Sequence, residues 1–433
     1  MQATVTTANQ PMNRLRMIAA LALIYIVFAI LLNSVGTVIL QSMATFGIGK
    51  PEASALERYK DLTVAFVSFL VASFLPLLGY RRAMMLSLLI VGAACIAMPL
   101  LPSWVTTRAL FACIGLSFAL AKVAVYSSIG LLTTSDKAHS RLTNTIEGTF
   151  MIGVLIGNWT FSAFVDHDHP GDPAWMNVYW LIAALCAAVL LLLATSKLDE
   201  SAAHSGGHNN SASDSIMEML RLFVRPLVYV FLASAFLYVL IEQSFSTWLP
   251  TFNNEILKLP NAMSIQFASI LPGMTAIGRL GAGVVLKRVS WYSLLNVCVV
   301  GMGLLVIVVL PLARDVVARP DVGWFDAPLA AYLIPLMGLL MAPIYPVINS
   351  VVLSSLPKPM HAAMTGLIVV FSALGGTLGS YITARVFASF DGIHAFYFSL
   401  VPMTLLLTTL FFFKRETHRA GLSMPAGSAL AAK

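Results

Sequence analysis

The stretch MIAALALIYIVFAILLNSVGTVILQ, residues 17–41, carries no charged residue over 25 positions. A helix rises about 1.5 Å per residue, so about 20 apolar residues cross a hydrocarbon core about 30 Å thick. A cleavable secretory signal would have a shorter apolar core, followed by a small-residue cleavage site. The stretch therefore predicts a first membrane-spanning helix, preceded by Arg14 and Arg16.

Eleven further apolar runs follow it, at 62–80, 83–101, 105–133, 145–165, 175–195, 226–249, 262–286, 290–313, 327–356, 362–388 and 392–413. Continuous runs of this length favour helices over the short alternating strands of a membrane barrel. Only 10% of the residues are charged, whereas a soluble domain carries about 25%. We therefore expect an all-α membrane protein with about twelve transmembrane helices.

A polar segment rich in Gly, Ser and Asn, residues 196–221, divides the runs into two sets of six. Its composition is that of a flexible linker and cannot build a core. The two sets also echo each other, since paired small residues recur in the fifth run (Gly153, Gly157) and the eleventh (Gly375, Gly379). We expect two pseudo-symmetric six-helix halves, 1–195 and 222–433, joined by a cytoplasmic linker and ending in a short cytoplasmic tail.

The net charge of +7 lies mainly in short loops between the runs, without the dense basic patch of a nucleic-acid binder. Positive loops mark the cytoplasmic side of a membrane protein. We expect a multi-pass protein of the plasma membrane, the bacterial inner membrane, with both termini in the cytoplasm. The basic loop residues are Arg81, Arg82, Lys137, Arg141, Lys197, Arg221, Arg225, Lys287, Arg288, Lys358, Lys414 and Arg415.

Neither a metal nor a cofactor is expected. The four cysteines lie inside apolar runs without paired spacing, as free buried thiols do. His204 and His208 belong to the linker, and nothing completes a coordination shell around residues 166–169. The chain also lacks a Walker-type phosphate loop, so direct drive by ATP is not expected.

Three ionisable residues within the predicted spans need an explanation: Lys122 in the fourth, Glu147 in the fifth and Glu242 in the seventh. A charge at membrane depth costs several kcal/mol unless it is paired or hydrated. The residues can form structural ion pairs, or they can line a water-filled cavity. Tyr126 and Tyr238 lie one helical turn from Lys122 and Glu242, so each polar face extends over a full turn.

The tenth run contains Pro335, Pro343 and Pro346, and Asn349 follows one turn later. Proline removes a backbone donor and clashes with the preceding turn, so we expect this helix to be kinked or broken. Transporters use such breaks near their binding sites, although ordinary membrane helices also kink. Arg279 and Arg385 lie near predicted helix ends, where we expect interfacial contacts.

With these residues in view, the chain resembles the major facilitator superfamily over nearly its whole length. Within it, FLYVLIEQSFSTWL (236–249) and GLLMAPIYPVINS (338–350) are similar to the fucose–galactose–glucose:proton symporter branch. The first run contains LNS (32–34) where that branch typically has Leu-Asn-Asp. The resemblance implies two six-helix halves around a central cavity, lined by the first, fourth, seventh and tenth helices.

The chain departs from that branch where the branch has its proton carriers. Ser34 and Lys122 stand where the resemblance implies an Asp and a Glu, and Glu147 stands where it implies a sugar-binding Gln. We therefore hypothesise that Lys122 and Glu147 face one cavity as a titratable pair. A buried ammonium suits a sugar acid, because direct charge pairing offsets its desolvation.

The function expected from these features is secondary active uptake of a carbohydrate or similar solute, coupled to a proton and carried out by a monomer in the bilayer. Lys122, Glu147 and Glu242 are the expected proton-coupling residues. The expected substrate-binding residues are Asn33, Lys122, Tyr126, Glu147, Tyr238, Glu242, Gln243 and Asn349.

Three alternatives remain open. An exporter of drugs or metabolites by proton antiport would favour an acidic, aromatic cavity without a central lysine. A membrane-embedded enzyme would need a catalytic cluster, and none of the eight histidines falls deep within a predicted span. A sensor without flux would need a signalling domain larger than the short tail after Lys414.

Overall fold

A computed structural model shows an all-helical protein, without a strand in the residues it describes. Those residues are 6–133, 135–166, 168–196, 198, 200, 221–319, 322–356 and 360–419. Ten helices in these ranges are long and apolar enough to cross a membrane. Ala55–Leu78 and Asp136–Ser162 fill the second and fifth positions, which confirms the predicted fold class of about twelve helices.

The first half contains six spanning helices. They are α1 (Thr6–Asn33, continued as Val35–Phe46), α2 (Ala55–Leu78), α3 (Tyr80–Leu100), α4 (Trp104–Leu132), α5 (Asp136–Ser162) and α6 (Val178–Thr195). Most of the predicted linker, and the tail beyond residue 419, lie outside the described residues.

The second half contains the other six. They are α7 (Pro226–Glu255), α8 (Asn261–Ala268 and Ile270–Val285), α9 (Trp291–Val309), α10 (Leu329–Leu333, Met337–Met341 and Ile344–Ser354), α11 (His361–Ser389) and α12 (Gly392–Phe398 and Leu400–Arg419). The predicted break in the tenth helix is confirmed, since Pro335 lies in a 3-10 turn and Pro343 precedes the last segment.

Two helices begin earlier than their apolar runs. Helix α2 begins seven residues before the predicted run at 62, and α5 begins nine residues before the predicted run at 145. Hydropathy reports transfer to lipid, so it misses polar turns that pack against protein. The extra turns bring Glu57, Lys60 and Asp61 into α2, and place Glu147 three turns inside α5.

Each half is held together by close helix packing at small residues. A Cβ atom at Gly153 of α5 would lie 2.7 Å from Cβ of Ala29 of α1, and one at Gly375 of α11 would lie 2.5 Å from the carbonyl oxygen of Phe236 of α7. In lipid, helices associate through such packing, because the solvent is as apolar as their side chains. The fifth and eleventh helices therefore play equivalent roles, as the sequence echo predicts.

The two ends of the molecule differ. We call the end with the loops 47–54, 163–172, 256–260 and 390–391 the gate end, and the opposite end, with Arg81 and the loop 286–290, the basic end. At the gate end the halves are joined. Nζ of Lys50 lies 2.9 Å from Oε2 of Glu255, and the rings of Trp159 and Trp324 stack with centroids 5.4 Å apart.

Candidate functional site

A cavity of about 140 Å³ lies between the two halves, where α1 and α5 face α7 and α8. A single water needs about 10–15 Å³ on this measure, so the cavity holds a small solute or several waters. Its wall mixes apolar surface with seven polar or charged side chains: Asn33, Thr37, Asn158, Glu242, Ser246, Thr275 and Arg279.

Glu242 is the acidic member of this wall, and α7 holds it in place. The hydroxyl of Tyr238, one turn earlier, donates to Oε1 of Glu242 at 3.0 Å. The Tyr238 ring stacks on Tyr345 of α10, with centroids 5.7 Å apart. Arg279, on α8, lines the same cavity, although no ion pair within 4.0 Å joins it to Glu242 among the described residues. A carboxylate with a neighbouring cation and a tyrosine donor is fixed in orientation and available to a polar ligand.

Asn349 belongs to the same cluster. It lies one helical turn after Tyr345 on α10, and the Tyr345 hydroxyl shares a hydrogen bond with Oγ of Ser372 at 2.9 Å. Its own Oδ1 is buried and has no partner among the described residues. Because a buried acceptor without a partner costs about 1–3 kcal/mol, this oxygen is a natural place for a donor from a ligand or water.

In the first half, Lys122, Tyr126 and Glu147 form a second cluster between α4 and α5. The Tyr126 hydroxyl donates to Oε1 of Glu147, and the charge of Glu147 acts on Lys122. Nζ of Lys122 lies 5.7 Å from the ring centroid of Phe118. Among the described residues no ion pair within 4.0 Å joins the ammonium to the carboxylate, so the hypothesis of a titratable pair stays a prediction.

Each half thus contains the same arrangement, in which a tyrosine hydroxyl donates a hydrogen bond to a glutamate. The glutamate lies on a helix that faces the other half. Tyr25 of α1 connects the first cluster to the cavity, since its ring lies 6.3 Å from that of Tyr126 and 5.9 Å from that of Phe150. Phe150 itself lines the cavity. Paired carboxylates with hydroxyl donors can bind a polyhydroxy solute from two sides.

The remaining predicted residues take different positions. Asn33 lines the cavity, and its Nδ2 donates to the Ala29 carbonyl oxygen at 2.9 Å. Gln243 points away from it, and its Nε2 donates to Oε1 of Glu57 at 2.8 Å. Of the eight predicted binding residues, Asn33 and Glu242 lie on the cavity wall itself.

Sequence reasoning missed several site residues. Arg279 was expected at an interface, but it lines the cavity, and Thr37 has a buried hydroxyl without a partner among the described atoms. Asn158 and Ser246 also face the space between the halves. The available signal was the one-turn spacing of Gly36-Thr37 from Asn33 and of Ser246 from Glu242 along their helices.

The described residues contain no group of three His, Cys, Asp or Glu side chains placed to hold a metal ion. His204 and His208 lie outside the described ranges, as does His167. The four cysteines are free, and Cys95, Cys186 and Cys298 are buried, as predicted.

Tyr126→Phe tests whether the hydroxyl orients Glu147. The change removes one hydrogen bond to a charged group, and such bonds contribute about 1.5–3 kcal/mol. We expect substrate affinity to fall by about 10-fold, with little change in melting temperature. Tyr229→Phe, an exposed tyrosine at the basic end of α7, is the matched control and should bind normally. Equal losses in both variants would show that the Tyr126 hydroxyl has no special role.

Comparison with known proteins agrees with this architecture. The family model described as Major Facilitator Superfamily matches residues 17–380. Comparison with the sequences of curated proteins gives no match.

Solved structures match over almost the full chain. The nucleoside transporter NupG has a TM-score of 0.69 and 14% identity, over 93% of this chain and 98% of that one. The E. coli fucose:proton symporter FucP has a TM-score of 0.60 and 15% identity, over 93% and 99%. The D-xylose-proton symporter has a TM-score of 0.65 and 12% identity, over 96% and 98%. At these identities the likeness concerns the fold.

Proposed function

The chain belongs to the major facilitator superfamily, and from that premise we propose that it is a secondary active transporter that takes up a sugar or sugar-like solute with a proton. The observation that carries this proposal is the polar cavity between the halves, with Glu242 and Arg279 on the second half facing Asn33 and Asn158 on the first. A site shared between two halves changes its access when the halves rock against each other.

The geometry supports an inward-facing state. The halves are joined at the gate end, where Trp159 donates to Ser269 at 3.2 Å and Lys50 pairs with Glu255. By the distribution of basic residues, the basic end faces the cytoplasm. In this proposal residues 1–195 and 222–433 move as units joined by the linker, and the cavity exchanges solute with the cytoplasm.

Proton coupling is assigned to Glu242, Glu147 and Lys122. Each glutamate accepts a hydrogen bond from a tyrosine hydroxyl. Each also has a cation nearby, Arg279 for Glu242 and Lys122 for Glu147. Binding a charged or polar solute between these pairs changes which partner each carboxylate has, and so changes its proton occupancy. The matched sugar symporters, by the names they carry, use protons as the coupling ion.

The substrate class follows from the cations. Arg279 on the cavity wall and Lys122 in the second cluster supply two positive side chains, an arrangement that suits a sugar acid better than a lipophilic cation. Direct pairing of the substrate carboxylate with an ammonium or guanidinium offsets the cost of removing it from water. A solute of the fucose–galactose–glucose type would use the same amide and hydroxyl groups.

Lys122→Gln tests the substrate class. We expect uptake of sugar acids in proteoliposomes to fall about 100-fold, because a substrate carboxylate enclosed on binding would lose its charge partner, at a cost of about 3 kcal/mol. Uptake of neutral sugars should lose its pH dependence and keep a larger share of its rate. Lys258→Gln, in the loop after α7 at the gate end, is the control. If Lys122→Gln leaves both uptake and its pH profile unchanged, the role given to Lys122 is wrong.

A further inference from the structure

Three charged side chains are buried on the first two turns of α2, at the interface between the halves. Glu57 is fully buried, and Lys60 is 5% exposed. The side chain of Asp61 is 16% exposed. We call Glu57, Lys60 and Asp61 the gate cluster. Asp61 lies six residues, about 9 Å, inside the gate end of α2.

Glu57 is held by donors from both halves. Nζ of Lys60 lies 2.6 Å from its Oε1, and Nε2 of Gln243 donates to the same oxygen at 2.8 Å. The hydroxyl of Thr247 donates to Oε2 at 3.0 Å. Three donors favour the ionised form of a carboxylate. Two of these donors belong to α7, so they are present only while the gate end is joined.

Asp61 is much less well satisfied. Its Oδ1 lies 3.4 Å from Nζ of Lys60, whose shorter contact is with Glu57. Its Oδ2 occupies the space above Gly376 of α11, where a Cβ atom would lie 2.5 Å from the oxygen. The Asp61 carboxylate therefore packs against the backbone of the opposite half. It shares the Lys60 ammonium with Glu57, which lies closer to that ammonium.

The cluster carries one negative charge too many. Two carboxylates and one ammonium leave a net charge of −1 in a largely buried region. An uncompensated charge in such a place is strongly unfavourable, and two nearby carboxylates do not both remain ionised when a proton is available. Opening the gate end would remove Gln243, Thr247 and Gly376 and return the cluster to water.

We propose that Asp61 binds a proton when the gate end closes, which makes the gate cluster a second proton site outside the central cavity. The proton comes from a hydronium ion in the water at the open gate: one of its O–H bonds breaks, an O–H bond forms on the Asp61 carboxylate, a neutral water molecule leaves, and the cluster becomes neutral. Reopening reverses the step. The proposal rests on the transporter function above and adds a titratable group that the cavity does not contain.

The charged groups around Asp61 agree with this assignment. On α2 itself, the Arg58 guanidinium lies over the Tyr381 ring at 5.5 Å rather than beside Asp61. On α11, Nε of Arg385 donates to the Tyr381 hydroxyl at 2.9 Å. Both arginines are thus engaged with the same aromatic side chain, and Lys60 is the cation in contact with Asp61.

Helices α4 and α7 also pack against the gate cluster, and α7 continues to the cavity wall. Helix α4 meets α2 at Gly115, where a Cβ atom would lie 2.4 Å from the Lys60 carbonyl oxygen. On α7, Gln243 bonds Glu57, and the preceding residue in the chain, Glu242, lies on the cavity wall. Helix α7 therefore places a contact of the gate cluster and the cavity wall on adjacent residues.

The test measures closure of the gate end directly, without any substrate. Spin labels replace Glu52 of the first half and Phe325 of the second, both exposed at the gate end, in a full-length background whose four cysteines are changed to serine. Distances are measured by pulsed electron resonance in liposomes frozen at a series of pH values. In this parent, the ratio of closed to open gate should rise by up to about 10-fold for each unit of falling pH, as one bound proton requires.

Two variants remove the excess charge in different ways. Asp61→Asn fixes the aspartate in a neutral form, and Glu57→Gln leaves Lys60 and Asp61 as a balanced pair. Both should keep the gate closed at every pH and abolish the pH dependence. Asp61→Glu keeps a titratable group and should retain it. If Asp61→Asn does not fold, Glu57→Gln alone tests the proposal.

Asp391→Asn is the control at the same end. Partial burial alone would raise the pKa of Asp391, but hydrogen bonds from the backbone N–H and ring of His394 outweigh it and lower the pKa. The residue is therefore ionised at neutral pH, and neutralising it should leave the parent's pH dependence unchanged. Asparagine keeps its helix-capping role.

The proposal is overturned if the parent's gate does not respond to pH, if Asp61→Asn responds as the parent does, or if closure follows sodium concentration at fixed pH. Because the measurement needs no solute, a pH-dependent gate in a protein that moves no sugar would reject the transport proposal and keep this one.

Discussion

Gly36→Trp is expected to abolish solute uptake. Gly36, on the second segment of α1, meets α7 of the other half, and a Cβ atom there would lie 2.5 Å from the carbonyl oxygen of Thr247. No side chain fits while the gate end is joined, so the substitution favours the open gate. Overpacking costs about 1–3 kcal/mol even for smaller groups, which shifts the gate equilibrium by about 10- to 100-fold. Uptake into proteoliposomes should fall by at least about 100-fold.

Gly130→Trp is the matched control. Gly130 lies near the basic end of α4, and a Cβ atom there meets nothing within 4 Å. The control should fold and transport normally. Gly36 also lines the cavity, so the distance between spin labels at Glu52 and Phe325, rather than substrate binding, reports that the variant stays open at the gate end. Normal uptake by Gly36→Trp would mean that the joined gate end is not part of the transport cycle.

Glu242→Gln should have the second largest effect. The substitution keeps the shape of the side chain but removes the charge that faces Arg279 and accepts from Tyr238. A carboxylate can accept two hydrogen bonds from a bound solute, and each hydrogen bond to a charged group contributes about 1.5–3 kcal/mol. We expect apparent substrate affinity, measured by counterflow, to fall at least about 100-fold, and proton-driven accumulation to be lost.

Glu416→Gln is the control for that loss. Glu416 pairs with Arg419 at 2.8 Å on α12, away from the cavity, and a surface pair of this kind contributes about 0–1 kcal/mol. Uptake should therefore stay within about twofold of the parent. A loss of accumulation in both variants would point to a general effect of removing an acidic residue.

The sequence predicts the membrane architecture well, because the bilayer imposes one strong rule on every span. Each backbone amide must be satisfied within its own segment, so apolar runs such as 290–313 become helices wherever they occur. Proline chemistry is equally local, and the break at Pro335 and Pro343 follows from it. The glycine pairs of α5 and α11 are predictable for the same reason, since close approach needs a missing side chain.

The site is harder to predict, because it depends on the opposite half of the chain. Asn33 and Glu242 lie on the cavity wall as expected, but Gln243 is turned toward Glu57. Residues 55–61 include four charged side chains and precede an apolar run, so the sequence predicts a loop there. Contacts with α7 and α11 instead hold these residues in α2. The sequence likewise predicts an interfacial position for Arg279, because its contacts on the cavity wall come from the other half. No property of an isolated segment reports which helix faces it.

Counterflow of labelled solute in proteoliposomes, with a panel of neutral sugars, amino sugars and sugar acids at several pH values, tests the proposed transport. We expect saturable uptake of a sugar or sugar acid that an inward proton gradient accelerates. We also expect loss of that uptake in Gly36→Trp. No saturable uptake of any member of the panel, or solute movement that an inward proton gradient drives outward, would contradict the proposed transport.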